Sequence, residues 1–272
     1  MLAAALVAAA LGAQAHTVAV SISRDGPRPA AGRLERRAHT RMRRRFERAG
    51  LDVRVQRFST PRGRSRNVIG MRPDRKRCLR VLMAHADTVP PSPGAEDNAS
   101  GLGLLAALAP RLRVVAPPCD VWLVATGAEE RIYTGSPDHL GSLALTRIVP
   151  RRRLRYALSL DEVGRGAAFR LRSPVTAPRR RVERELLAAA RRERVRLDWL
   201  RDSGSGNSDH REFELAGMRG VKLGVVDNPC RHTTCDTPSI CRASRIAMSR
   251  CVSLVTVPES LATPSRNSMP MR

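Results

Sequence analysis

Lysine is nearly missing from this 272-residue chain. Lys76 and Lys222 are the only two, although Lys and Arg together number 49 against 25 acidic residues. The formal charge of +24 is therefore carried almost wholly by arginines spread along the sequence. Such an excess raises nucleic acid or an anionic surface as a partner. Here the charge forms no stripe, and only two Trp, two Tyr and four Phe are present. Single strands are bound by stacking on such rings, so no specific nucleic-acid partner is expected and the arginines read equally as biased codon usage.

Long hydrophobic runs are also missing beyond the first fifteen residues, so no integral membrane segment is expected. The exception, Met1 to Ala15, is uncharged and ends in Ala13-Gln14-Ala15. It reads as a secretory signal cut before His16, which gives an exported protein. It has no basic n-region, and a buried helix is the alternative. No zinc-finger spacing exists among the six cysteines, whose even number suits an oxidising compartment. Cys230 and Cys235 flank His232 closely enough to close a small loop. Cys78 and Cys119 each open an expected strand and would meet if those strands were neighbours. Cys241 and Cys251 would stand ~15 Å apart on one straight helix, beyond disulfide reach, and free buried thiols are equally open for them.

The length suits one α/β domain, taken as residues 16–257, with 258–272 a frayed tail. Arg33 to Ala49 reads as a charged helix stopped by Gly50, and Leu51 to Phe58 alternates as a half-buried strand does. Further strands are expected at Asn67–Met71, Leu79–Ala84, Cys119–Ala125, Arg155–Leu160, Ala167–Leu171, Val195–Leu200 and Val221–Val226. Helices are expected at Ala99–Leu112, near Pro137–Arg147, at Arg180–Arg194, around Asp209–Ala216 and from about Ser239. Strands alternating with helices imply a mixed, mainly parallel central sheet with helices on both faces.

In such a sheet, ligand-type residues belong at the carboxyl ends of the strands. His85-Ala86-Asp87 ends one strand and leads to the glycine-bounded acidic loop Gly94-Ala95-Glu96-Asp97-Asn98-Ala99-Ser100-Gly101. Glu129-Glu130 follows a second strand, Asp161 a third, and His232 lies beyond a fourth. One loop His or Asp is commonly a capping residue; residues of this kind at several strand ends point to a metal site. Gly101-x-Gly103-x-x-Ala106 imitates a dinucleotide fingerprint but does not follow a strand. Gly204-Ser205-Gly206 lacks the elbow of a serine hydrolase.

The blocks His85-x-Asp87, Gly94 to Gly101, Glu129-Glu130 with Gly135-Ser136, Asp161-x-Val-Gly164, Ser208-Asp209-His210-x-x-Phe213 and His232-Thr233-x-x-Asp236-Thr237 resemble the zinc-dependent exopeptidases that include secreted bacterial aminopeptidases. The resemblance implies two zinc ions bridged by Asp97, with His85 and Asp161 completing one site and Glu130 and His232 the other. It implies Glu129 as general base and peptide substrates. Asp87 would orient the ring of His85. Arg231 stands where an aromatic residue is common and could meet an oxyanion or a substrate carboxylate. Glu162 and Glu212 also depart from the family pattern. A glutaminyl cyclase, a carboxypeptidase-like relative, and an inactive basic protein that binds an acidic polymer are the competing functions. The oligomeric state is not legible.

Overall fold

The computed structural model describes residues 2–72, 76–114, 117–135, 137–166, 168–174, 180–202 and 208–239. The expected C-terminal helix, Cys241, Cys251 and the 258–272 tail lie outside them. Eight strands form one sheet: β1 (Asp52–Thr60), β2 (Gly63–Arg72), β3 (Leu79–His85), β4 (Asp120–Thr126), β5 (Leu154–Leu160), β6 (Ala168–Pro174), β7 (Arg196–Asp202) and β8 (Gly220–Val225). Their order is β1-β2-β4-β3-β5-β8-β6-β7. The pairs β3–β4, β3–β5, β5–β8 and β6–β7 are parallel, whereas β1–β2, β2–β4 and β6–β8 are antiparallel. Every residue of β3 and of β8 is buried. Such near-continuous apolar runs are what central strands with both faces covered require. On the outer strand β1, no residue is fully buried, and exposed positions largely alternate with partly buried ones.

The helices are α1 (Leu2–Ser23), α2 (Arg33–Arg48), α3 (Gly101–Leu108), α4 (Arg111–Val114), α5 (Arg131–Thr134), α6 (Leu140–Thr146), α7 (Arg180–Arg192) and α8 (His210–Leu215). Ala38, Met42 and Phe46 recur every fourth residue as the buried stripe of α2. The helix expected at Ala99–Leu112 is broken into α3 and α4, because Pro110 cannot continue the ladder of backbone hydrogen bonds. One disulfide joins Cys78 to Cys119 where β3 and β4 begin, and another joins Cys230 to Cys235 around His232.

The segment expected as a leader is helical. The cleavage point before His16 falls in the middle of α1, where Ala15, Val18, Ala19 and Ile22 are buried in the main core. A Cβ built on Gly103 of α3 would lie only 2.2 Å from the Ala15 carbonyl oxygen. The two helices therefore touch backbone to backbone. A cut before His16 would strip Leu11 and Ala15 from that contact. A Gly103→Val substitution forces α1 away from α3. Overpacking of this kind costs roughly 1–3 kcal/mol, so thermal unfolding should show a Tm lowered by about 2–12 °C. An unchanged Tm would mean that α1 does not dock there.

Candidate metal centre

Two parallel strands end side by side, with His85 of β3 opposite Thr126 of β4. Beyond them the chain turns into His85-Ala86-Asp87 on one side and Gly127-Ala128-Glu129-Glu130 on the other. The Asp87 carboxylate joins these loops by accepting the Glu129 N–H at 3.1 Å and the Glu130 N–H at 3.0 Å. Its expected role toward His85 is less direct. The His85 Nδ1 lies 3.1 Å from the Asp87 main-chain carbonyl and 3.8 Å from its carboxylate. Asp87 thus acts on the His85 ring through backbone, and its carboxylate positions the two glutamates.

The acidic loop is fixed from three directions. Gly94 enters it at φ 62°, and a Cβ there would meet Thr88 Cγ2 at 2.2 Å and the Asp97 carbonyl at 2.4 Å, so only glycine fits. Asp236 accepts the Glu96 and Asp97 amides at 2.7 and 3.1 Å. Glu96 in turn accepts the Gly164 and Arg165 amides beyond β5, at 2.8 and 3.2 Å. The Asp97–Asn98 peptide bond is cis. Asn98 donates to the Leu160 carbonyl at 2.9 Å, and its own carbonyl accepts the Gly101 amide at 3.1 Å.

These loops bring all five expected ligands together. His85 Nε2 stands 3.1 Å from Asp97 Oδ1 and 3.6 Å from Asp161 Oδ1. The other Asp97 oxygen is 3.2 Å from His232 Nε2, which is 3.3 Å from Glu130 Oε2. Asp97 lies between the two halves of the cluster. Glu129 belongs to the same group, since one atom each from His85, Glu129 and Asp161 lie within 4.8 Å of one another, as do atoms from His85, Asp97 and Glu130. Among the described residues, Asp97 Oδ2, Glu130 Oε1, Asp161 Oδ1 and His232 Nε2 are buried without a hydrogen-bond partner. A buried polar atom without a partner is costly. Four of them converging, all imidazole nitrogen or carboxylate oxygen, fit the ligand preference of zinc.

The electrostatics carry the same message. Burial opposes the charged Asp97 carboxylate, yet the His232 and His85 imidazoles beside it hold it well below the usual range. The His232 ring is pushed up to about 10 by Asp97 and Glu130. Burial lowers the affinity of His85 for its proton, but Glu129, Asp161 and Asp97 outweigh it and the ring sits well above its ordinary value. Glu129 is raised well above the carboxylate range by burial, against the pull of His85. The cluster thus has more negative charge than its neighbours neutralise and is held together by protons that a cation can replace.

Arg231 lies at the mouth, its Nε 3.4 Å from Asp97, and with His232 it retains 37% and 36% of its side-chain exposure. The remaining ligands are closed off, so a substrate approaches past these two. Several contributors had no clear signal in the sequence. Arg28, fully buried between Pro27 and Pro29, donates to the Ala86, Pro93 and Gly94 carbonyls, and burial lowers its pKa to about 10. Lys222 of β8 reaches Asp161 at 2.7 Å. His139 bridges Glu129, at 3.4 Å, and Glu212, at 3.3 Å, with Asp138 at 3.6 Å from the same ring. Glu212 had been noted only as a departure from the family pattern. Arg28 is one arginine among many, and His139 fell within an expected helix.

Comparison with known proteins places this arrangement in context. A sequence model described as "Peptidase family M28" matches residues 67–256. Aminopeptidase YwaD of Bacillus subtilis (strain 168) is 30% identical over 164 residues, 57% of this chain and 34% of that protein. The chain thus spans about a third of the length of the curated relative it matches. A solved zinc aminopeptidase from Bacillus subtilis superposes with a TM-score of 0.79 at 17% identity, covering 92% of this chain and 96% of that one. A Bacteroides thetaiotaomicron glutaminyl cyclase bound to N-acetylhistamine gives 0.77 at 20% identity, covering 90% and 96%. At such identities the likeness is one of fold.

Because Asp236 holds two consecutive amides of the ligand loop, Asp236→Ala should weaken zinc binding by about 10–100-fold. Competition with a chromophoric chelator reads this directly, and wild-type affinity would remove Asp236 from the loop's support.

Proposed function

The chain belongs to peptidase family M28, and from that membership together with the converging ligand atoms we propose that it is a zinc-dependent aminopeptidase acting on peptide N-termini. The observation that carries the reading is the set of buried, unpartnered ligand atoms on Asp97, Glu130, Asp161 and His232. In this reading His85 and Asp161 hold one zinc ion, Glu130 and His232 a second, and Asp97 is shared. When bound, the metal pair supplies Lewis acidity, polarising a carbonyl and lowering the pKa of water.

The remaining chemistry belongs to the protein's own groups. Glu129 is the general base: its carboxylate takes the proton of the attacking water and delivers it to the departing amine. Asp87 fixes Glu129 through the backbone amide, and His139 meets the Glu129 carboxylate from the other side. Burial raises the pKa of Glu129, and added cationic charge at the ligand cluster acts in the opposite sense, favouring the ionised base. At the open side, the Arg231 guanidinium is aimed where a developing oxyanion or a carboxylate can be met. The two disulfides support a location outside the reducing cytoplasm.

Metal analysis should find zinc, and chelation followed by zinc addition should abolish and restore hydrolysis of aminoacyl arylamides. Glu129→Gln should lower kcat by about 10²–10⁴ while zinc content stays that of the wild type. Full activity in that variant would remove Glu129 as base. A protein without zinc that hydrolyses nothing would instead favour a binding role. On glutaminyl peptides, a pyroglutamyl product in place of free glutamine would assign a cyclase.

A further inference from the structure

Beside the ligand cluster, a cleft of about 260 Å³ open to solvent is lined by Glu162, Arg170, Arg172, Lys222, Gly224, Val225 and Arg231. Four cationic side chains face it and one carboxylate does. The arrangement follows from strand register. Arg170 and Arg172 are two residues apart on β6 and share a face, while Phe169 and Leu171 between and beside them are fully buried on the opposite one. Arg172 lies directly opposite Lys222 of β8, and Arg170 directly opposite Gly224. Like charges in directly opposed positions destabilise a sheet. A Cβ on Gly224 would lie 2.3 Å from the Asp161 carbonyl oxygen, so β8 packs directly against the ligand loop at this edge of the cleft.

The single anionic wall residue is already engaged. The Glu162 carboxylate accepts from Asn228 at 2.9 Å and faces Lys222 at 3.6 Å. Two of the walls are continuous with the metal centre, since Lys222 touches Asp161 at 2.7 Å and Arg231 touches Asp97 at 3.4 Å. An occupant of the cleft is therefore next to the groups that hold the scissile bond. Lys222 and Arg231 already face Asp161, Glu162 and Asp97, so the charge left to meet an occupant is that of Arg170 and Arg172; it selects an anionic side chain, since guanidinium groups match carboxylate geometry.

We infer that this cleft is the specificity pocket for the first residue of the substrate and takes an acidic side chain, so that N-terminal glutamate or aspartate is preferred; this rests on the aminopeptidase reading above. Arg170 and Arg172, on a strand that supplies no ligand, determine the preference.

Zinc-loaded wild type and an Arg170→Met/Arg172→Met double variant should be compared on α-glutamyl, glutaminyl, leucyl and lysyl arylamides. The wild type should favour glutamyl over glutaminyl and leucyl by about tenfold or more in kcat/KM, with lysyl poorest. The double variant should lose about tenfold or more on the glutamyl substrate while its leucyl rate does not fall, so that the glutamyl preference is lost or reversed. Should the double variant not fold, Arg170→Gln alone provides the comparison. Equal glutamyl and glutaminyl rates, or a glutamyl rate indifferent to the arginines, would overturn the inference. So would a preference for peptides with a free C-terminal carboxylate without any preference for an acidic first residue. Calorimetry with free glutamate and glutamine separates this from the parent reading. Tighter glutamate binding that depends on Arg170 and Arg172, without hydrolysis of any arylamide, would sink only the peptidase activity. Indistinguishable binding of the two amino acids would sink the pocket.

Discussion

Six buried carboxylates, from Asp87, Asp97, Glu129, Glu130, Asp161 and Asp209, crowd the carboxyl edge of the sheet, and the rest of the structure answers to them. Removing that much like charge from water is expensive unless each oxygen finds a partner. A recurring device is a carboxylate that accepts two successive backbone amides from a neighbouring loop. Asp87 does this to Glu129 and Glu130, Asp236 to Glu96 and Asp97, and Glu96 to Gly164 and Arg165. Each contact locks one loop to another, so the loops after β4 and β5 and the His232 loop are all tied to the segment that follows β3. Oxygens of Asp97, Glu130 and Asp161 are among those left over.

Backbone conformation at this edge departs from the ordinary for the same reason. Ala128, His139, Glu162 and His232 all have positive φ, between 49° and 61°, and all adjoin the centre. None is glycine, and non-glycine residues enter that region at a cost of order 1–3 kcal/mol each. The surrounding hydrogen bonds hold them there. Glu162, for instance, has its carbonyl bonded by the Val225 amide at 2.8 Å and its carboxylate bonded by Asn228.

Much of this architecture was legible before any coordinates. Strand periodicity located β3, β4, β5 and β8, whose continuous apolar runs announce central strands, and the residues at their ends are the ones that meet. The two described disulfides also follow from strand adjacency and short-loop closure. Other features depend on partners distant in sequence and carry no local pattern. Arg28 reaches three carbonyls near residues 86–94, and nothing in Gly-Pro-Arg-Pro announces it. The N-terminal run was ambiguous because a core helix and an export signal demand the same apolar composition; the contact with Gly103 comes from tertiary packing. His139 could not be linked to Glu129 and Glu212 until α6 and α8 were brought side by side, since position within a helix does not reveal what lies across from it.

The strand order separates two jobs. All the candidate ligand side chains issue from β3, β4 and β5 or from loops anchored to them, whereas Arg170 and Arg172 lie on β6, which with β7 forms a parallel pair joined in the sheet to the other strands through β8 alone. The arginine-bearing face of β6 can change residue by residue while the loops that hold the ligand cluster are left untouched. On the reading proposed above, descendants of this chain can drift toward new side-chain preferences by substitution on one strand, with the ligand cluster kept throughout.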